Sequence, residues 1–208
     1  MEHLFYGNQD DPLLWKLRLE ICIGVARGLH YLHTGVKHTI IHCDVKLSNI
    51  MLDEKLEARL TNFGLSKMGP SSLSKALIRV DSAVKGTVGY LDPTYIQTGQ
   101  LPNKSDVYGL GVVLFEVICT KITVNMKLES KQRSLAVWAP KCVEDGTINQ
   151  MIDPYLIGKI DPKCFKIYMN IAISCVREDH MERPTIGEVE VGLEHALEQQ
   201  KRVDAATR

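Results

Sequence analysis

The side chains best suited to chemistry lie in one short segment, residues 42–49, which reads HCDVKLSN. The carboxylate of Asp44 could orient and deprotonate a hydroxyl group, and the cation of Lys46 could reach a phosphate that is being transferred. Asn49 adds a neutral oxygen, the hard type of ligand that Mg²⁺ prefers. Phosphoryl transfer depends on such positioning and charge stabilisation. The spacing predicts that these three side chains lie on one face of a tight loop.

Short strands are predicted to hold this loop in place. Apolar runs at 39–41, 50–52 and 58–60 indicate small strands on both sides of it. The segment 69–85 contains several serines, a Gly-Pro pair and no apolar period. It is longer than ordinary connections, so we predict a mobile surface segment.

Apolar residues with helical spacing predict that helices dominate the chain. The segment from Ser105, its predicted cap, to about Thr120 is apolar almost all round, so this helix should be buried at the centre of the domain. The other predicted helices are 11–33 (capped by Asp11-Pro12 and ended by Gly35), 134–143, 148–155, 164–176 and 185–200, the last with a capping box of Thr185 and Glu188. The predicted fold class is mainly α with a few short β-strands.

The composition is that of an ordinary globular domain and excludes several classes of partner. Apolar residues make up 45% of the 208 residues and charged residues 24%, with 25 basic and 25 acidic side chains. A net charge of zero gives no electrostatic reason to expect nucleic acid or an anionic membrane as a partner. No apolar run approaches the ~20 residues of a membrane span, and the N-terminus lacks the pattern of a signal peptide. We expect a cytoplasmic chain.

The six cysteines show neither metal-binding spacing nor a disulfide pattern. Cys22, Cys119 and Cys175 lie in apolar helical patterns, where a thiol in a reducing compartment behaves as a small hydrophobe. Cys43 could be a reactive thiol or an ordinary loop cysteine, because reactivity depends on a lowered pKa.

Several motifs along the chain resemble those of protein kinases. Residues 42–49 are similar to the kinase catalytic loop, and Asn62-Phe63-Gly64 stands where kinases carry the magnesium-binding Asp-Phe-Gly. The segment GTVGYLDP, residues 86–93, resembles the substrate-binding segment of Ser/Thr kinases. The resemblance implies a protein-kinase-like fold over residues 1–200, with catalytic loop 42–49, degenerate magnesium motif 62–64, activation segment 62–94 and a frayed tail at 201–208.

Several short segments are similar in sequence to those of plant receptor-like Ser/Thr kinases. Residues 27–33, 89–93 and 112–117 are typical of this class, and Cys22 with residues 34–42 resembles its malectin-domain, FERONIA-like group. The resemblance implies that the partners are a protein substrate or a partner receptor kinase. It also implies a place on the cytoplasmic side of the plasma membrane if the chain is part of a longer receptor.

The resemblance implies a role for each candidate site residue, with ATP and Mg²⁺ as cofactors. Met51 matches the floor of the adenine pocket, although it could equally be an exposed apolar residue. The implied sets are Asp44, Lys46, Asn49 and Thr87 for catalysis, with Thr87 bridging Asp44 and Lys46; Asn49, Met51 and Asn62 for the cofactor; and Asn49 and Asn62 for the metal.

Two further side chains are implied to be structural. His42 should pack under Phe63 in a buried stack, and Asp106 should bind backbone amides of the catalytic loop. Arg183 matches a late structural arginine of the family, but Thr94 stands where the family has the glutamate that pairs with it. Unless another group substitutes, Arg183 should lack its partner, at a cost of about 3–5 kcal/mol.

Three other departures bear on activity. The sequence has no Gly-x-Gly-x-x-Gly and no matching strand lysine, so we expect the C-terminal lobe only, with the N-terminal lobe absent and the ATP cleft incomplete. Asn62 offers an amide oxygen without charge, which should cost about 2–4 kcal/mol of charge stabilisation, roughly a hundred- to thousand-fold in rate. Cys43 replaces the arginine that receives an activation-segment phosphate in many kinases.

These observations leave four functions in competition. The leading hypothesis is a truncated, degenerate receptor-like Ser/Thr kinase whose phosphoryl transfer is impaired or lost. The alternatives are a non-catalytic pseudokinase module that docks to receptor kinases, a functional kinase whose other lobe lies in sequence outside these residues, and a non-functional gene fragment. We expect no stabilisation by Mg-ATP, and an uncovered apolar patch at Met51, Phe63 and the start of the first helix.

Overall fold

The computed structural model describes residues 12–69, 77–79 and 83–206. Within these residues the fold is mainly helical with a few short strands, which confirms the predicted fold class. The helices are α1, Trp15–His30; α2, Pro93–Thr98; α3, Ser105–Cys119; α4, Leu135–Glu144; α5, Pro162–Cys175; and α6, Ile186–Ala206. The strands are β1, Ile40–Ile41; β2, Ile50–Leu52; β3, Ala58–Leu60; β4, Lys67–Met68; β5, Leu77–Arg79; and β6, Gln100–Pro102.

Helix α3 is the centre of the core, as its sequence predicts. Every one of its residues is buried, and α1, α4 and α5 pack against it. Helix α6 packs across α1 and α5 and closes the other side of the core. At Gly109 the catalytic loop lies directly on α3, because a Cβ there would be 3.0 Å from the Val45 carbonyl oxygen. The buried central helix therefore fixes the position of the catalytic loop relative to the core.

The strands form three antiparallel pairs in the described residues, and two of them flank the catalytic loop. Strand β2 pairs with β3 through Ile50 and Leu60, immediately after Asn49. Strand β1 pairs with β4, which places the segment before His42 beside the segment after Gly64. The three strands predicted around the loop are confirmed.

The third pair corrects the prediction for the segment 69–85. The segment contains strand β5, which pairs with the later strand β6 and places Ile78 opposite Leu101. The sequence LIR at 77–79 is too short to show a period, so only its distant partner reveals the strand. The rest of the segment that falls at 70–76 and 80–82 lies outside the described residues.

Several predicted helix boundaries were wrong. Helix α1 begins at Trp15, three residues after Pro12, and Leu14 is its N-cap without a side-chain hydrogen bond; the predicted cap Asp11 lies outside the described residues. Ser105 is the first helical residue rather than the cap, since its hydroxyl is bonded elsewhere. The segment 148–155 forms only two 3₁₀ turns. Helix α6 continues through the predicted frayed tail to Ala206, and α2 was not predicted.

Other sequence expectations are confirmed. The capping box of α6 is present, because Thr185 N donates to Glu188 Oε2 at 2.7 Å and Glu188 N donates to Thr185 Oγ1 at 3.3 Å. All six cysteines are free thiols, and every one except Cys43 is buried. Among the described residues, the helices are too short or too polar to cross a bilayer.

Candidate active site

Three of the predicted catalytic side chains form a closed triangle. Lys46 Nζ donates to Thr87 Oγ1 at 2.6 Å, and Thr87 Oγ1 donates to Asp44 Oδ1 at 2.6 Å. The third edge is the ion pair between Lys46 Nζ and Asp44 Oδ2 at 2.9 Å. Thr87 follows β5 and lies more than forty residues after Asp44 and Lys46 in the sequence. Tertiary packing therefore brings it to the catalytic loop.

The environment keeps the Asp44 carboxylate ionised. Burial disfavours the charged form, but hydrogen bonds from Thr87, Lys46 and Asn49 outweigh it and lower the pKa of Asp44 below its ordinary value of 3.8. Asn49 Nδ2 donates to the carboxylate oxygen Oδ2 at 2.9 Å, and it also donates to the backbone carbonyl of Asp44 at 2.8 Å, which holds the loop. The site therefore presents a fixed anion beside a fixed cation.

The side chains at the two candidate metal-binding positions, Asn49 and Asn62, contact each other. Asn62 Nδ2 donates to Asn49 Oδ1 at 3.3 Å. Asn62 has left-handed backbone angles, φ 64° and ψ 65°, a conformation in which asparagine and aspartate are the best tolerated non-glycine residues. The amide therefore takes the place of a carboxylate without straining the backbone.

This arrangement does not fit Mg²⁺. The oxygen that Asn49 would offer to a cation already accepts a hydrogen bond from Asn62, and both side chains are uncharged. The carboxylate of Asp44 contacts Asn49, and both its oxygens are already hydrogen-bonded. No group of three or more His, Cys, Asp or Glu side chains in the described residues is placed to hold a metal ion. A hard divalent ion prefers several oxygen ligands with negative charge.

Asp106 anchors the catalytic loop from beneath, as predicted. Its Oδ2 accepts the backbone N–H of His42 at 2.7 Å, and its Oδ1 accepts that of Cys43 at 2.8 Å. His33 Nε2 donates to the same Oδ2 at 2.8 Å, a contact that the sequence did not reveal. These bonds hold Cys43 at φ 68°, which is uncommon for a residue other than glycine.

The predicted packing of His42 under Phe63 is present. The two rings meet edge to face with centroids 4.9 Å apart, and His42 Nε2 hydrogen-bonds the Thr61 carbonyl at 2.9 Å. Phe63 nevertheless remains 47% exposed, and Met51 is 61% exposed. Leu14, at the start of α1, is 62% exposed. These three side chains are exposed, as expected.

The expectation that Arg183 lacks a partner was wrong. Arg183 Nη1 donates to Asp92 Oδ2 at 2.5 Å, and Nη2 donates to Asp92 Oδ1 at 2.9 Å. Both side chains are buried, with exposures of 0% and 1%. Ser105 donates to the same carboxylate at 2.8 Å. Asp92, two residues before Thr94, thus supplies the charge that position 94 lacks.

Asp92 was the structural residue that sequence reasoning missed. The signal was available, because Asp92-Pro93 is an N-cap followed by proline at the first helical position. Asp92 Oδ1 caps α2 by accepting the Thr94 N–H at 2.9 Å. Burial opposes ionisation, but Arg183 and Ser105 lower the pKa of this carboxyl below 3.8.

Cys43 is an ordinary loop cysteine rather than a reactive thiol. Burial raises the pKa of its thiol to about 12, and the charge of Asp106 adds to the effect. Its Sγ donates to the Ile41 carbonyl at 3.4 Å.

The fold and the site identify the class of protein. A profile of the protein kinase domain matches residues 14–196 of the chain. The chain therefore belongs to the protein kinase family, and its described residues form the helical C-terminal lobe of that fold.

The relatives are plant receptor-like kinases. The chain is 54% identical over 203 residues to the receptor-like protein kinase FERONIA of Arabidopsis thaliana. It is 50% identical over 205 residues to ANXUR2 and 49% identical over 193 residues to THESEUS 1 of the same plant. These alignments cover 98%, 99% and 93% of the chain but only 22%, 23% and 22% of the relatives. The chain spans little more than a fifth of their length.

Proposed function

We propose that this chain is the acceptor-positioning lobe of a receptor-like Ser/Thr kinase domain whose phosphoryl transfer is impaired. The triangle of Asp44, Lys46 and Thr87 supports acceptor positioning, because its groups are already hydrogen-bonded to one another. A Ser or Thr hydroxyl of a protein substrate would donate to the ionised Asp44, which orients the attacking oxygen. Lys46 supplies positive charge where phosphate charge must be neutralised.

The contact between the two amides supports the proposed impairment. ATP and Mg²⁺ are the family's cofactors and would supply the phosphoryl group and its charge stabilisation. Asn49 and Asn62 hydrogen-bond to each other and bring no negative charge to the metal position. Loss of one preorganised charge contact costs about 2–4 kcal/mol in the transition state, or a hundred- to thousand-fold in rate.

The decisive experiment restores the charge with Asn62→Asp. The parent chain should show no rise in melting midpoint at millimolar Mg-ATP and no phosphate transfer to a Ser/Thr protein substrate. The N62D variant, which keeps the left-handed backbone, should gain stabilisation by Mg²⁺ alone, because a carboxylate adds a charged ligand and this readout does not need a complete ATP cleft. Asn62→Ser is the matched control, since it removes the amide without adding charge. Equal stabilisation of the parent and N62D by millimolar Mg²⁺, or stabilisation of the parent by Mg-ATP, would refute the impairment.

A non-catalytic interaction module is the second candidate. It is favoured by the exposure of the apolar side chains of Leu14, Met51 and Phe63, each of which a partner would cover. Such a module would dock to a receptor kinase through this surface. A monodisperse monomer that binds no hydrophobic dye would count against this candidate.

We propose that a longer form of the protein lies at the cytoplasmic side of the plasma membrane. The support is that its relatives are named receptor-like kinases.

A further inference from the structure

A small apolar groove lies between α3 and α4, on the side of the molecule that carries Thr87. Its apolar lining is Ile122, Leu128, Leu135 and Trp138, and its volume is about 280 Å³. This volume is below the ~300–1,000 Å³ of typical small-molecule pockets, so it suits one or two side chains. We call it the α3–α4 groove.

The walls of the groove are held rigidly. Leu135 N donates to the Thr123 carbonyl at 2.8 Å, and Asn125 N donates to the Arg133 carbonyl at 2.8 Å. These bonds fold the connection between the two helices back on itself, with Val124 bridged to Ser134. The groove is therefore formed before any ligand arrives, which lowers the entropic cost of binding.

The connection beside the groove is basic although the chain as a whole is neutral. Residues 121–133 contain one acidic residue, Glu129, so the local net charge is +3. None of the four basic side chains in residues 121–133 forms an ion pair with a residue that the structure describes. They are Lys121, Lys127, Lys131 and Arg133. Positive charge around an apolar groove is complementary to an acidic segment that carries an apolar side chain.

The connection that lines the groove also contacts the segment that carries Thr87. Thr123 and Val124 pack against Gly89, where a Cβ would be 2.8 Å from Thr123 Oγ1 and 2.8 Å from Val124 Cγ2. Gly89 follows Thr87 by two residues and has φ 95°, so the close contact requires glycine. A segment seated in the groove would therefore leave its neighbouring residues near the Asp44–Lys46–Thr87 triangle.

We propose that the α3–α4 groove docks an acidic segment of a partner protein, with an apolar side chain inserted against Trp138. Docking here would select the protein that presents its hydroxyl to Asp44. The binding step needs no nucleotide and no phosphoryl transfer, so it can be tested separately from the proposed function.

The test is titration with a synthetic peptide of alternating Glu-Asp and Leu-Phe pairs, in the absence of nucleotide. The peptide has no tryptophan, and Trp15 is buried at 3% exposure, so a change in intrinsic fluorescence reports Trp138. Binding should weaken as salt rises from about 0.05 to 0.5 M, because exposed charges are screened. A peptide with lysine in place of each acidic residue should not bind.

Charge reversal locates the contact. The double variant K127E/K131E should bind the acidic peptide at least about tenfold more weakly. The matched control K163E/K166E reverses two exposed charges on α5 and should bind as the parent does. Both variants change exposed side chains only, so both should fold.

Several results would overturn the proposal. They are equal binding of the acidic and basic peptides, equal weakening in both double variants, and binding seen by calorimetry without a change in Trp138 fluorescence. A dimer in sedimentation that K127E/K131E disperses would assign the groove to a second copy of the chain. Stronger binding to phosphatidylserine vesicles than to the peptide would assign the basic residues to a membrane. Failure of docking would leave the Asn62→Asp experiment and the proposed function untouched.

Discussion

The ion pair of Asp92 and Arg183 should contribute more to stability than any exposed ion pair of the chain. Asp92→Ala would leave the guanidinium of Arg183 buried at 0% exposure without a counter-charge, and Ser105 without its acceptor. Removal of one partner from a buried ion pair costs about 3–5 kcal/mol. Loss of the α2 cap at Thr94 adds about 0.5–2 kcal/mol. Since a domain has only about 5–15 kcal/mol of stability, D92A should be close to unfolding.

Urea unfolding followed by circular dichroism measures the loss. Because D92A could fail to fold, Asp92→Asn provides the graded variant: it keeps the shape and one acceptor, and should lose about 1.5–3 kcal/mol. Glu198→Ala is the control, since it removes an exposed i,i+4 partner of Arg202 and should cost about 0.5 kcal/mol or less. The reasoning would be refuted if D92N and E198A lost the same free energy of unfolding.

The same pair predicts a pH dependence. The folded-state pKa of Asp92 lies below its unfolded value of about 3.9, so its contribution is fully present above that pH. It is lost as the pH falls through the folded pKa, because the unfolded state then binds the proton more readily. The difference in unfolding free energy between the parent and D92N should therefore shrink below about pH 4.

Three other predictions concern buried groups around the site. Burial raises the pKa of Glu116 from 4.5 to about 8, and its Oε1 has no hydrogen-bond partner among the residues that the structure describes. The folded state holds a proton that the unfolded state releases, so the free energy of unfolding should fall by up to about 1.4 kcal/mol per pH unit as the pH rises between these values, and Glu116→Gln should remove this slope. The thiol pKa of Cys43 is raised to about 12. Cys43 should therefore react with iodoacetamide at pH 7 at least about a hundredfold more slowly than a small free thiol. Comparable reaction rates would contradict its burial. Asp106→Asn should raise the hydrogen-exchange rates of the His42 and Cys43 amides about tenfold or more, with the amides of α5 as the internal control, and unchanged rates would show that the carboxylate does not hold the loop.

Local sequence patterns were sufficient to predict the catalytic loop and the central helix. The stripe of α1, the apolar character of α3 and the capping box of α6 each depend on residues close in sequence. The grouping of Asp44, Lys46 and Asn49 needed only their spacing. The position of Thr87 beside them came from resemblance to kinases, since no local pattern links residues that lie so far apart.

Features that depend on distant partners were missed. Strand β5 exists through its pairing with β6, which follows it by about twenty residues. Arg183 was assigned no partner because Thr94 was considered alone, whereas the carboxylate two residues earlier reaches it. Ser105 was assigned to a cap that its hydroxyl does not make, because Asp92 takes its hydrogen bond. In each case a tertiary contact outweighed a sound local preference.

The substitutions at Thr94 and Asn62 differ in what surrounds them. At Thr94 the missing charge is restored by Asp92, because a buried cation without a partner would destabilise the fold. At Asn62 the backbone keeps its left-handed geometry and the adjacent Phe63 keeps its contact with His42. An amide there costs the fold nothing, so stability gives no reason for a second carboxylate nearby. The architecture of a kinase lobe can thus persist with an uncharged side chain at the candidate metal position, so the proposed function is argued from Asn49 and Asn62 rather than from the fold.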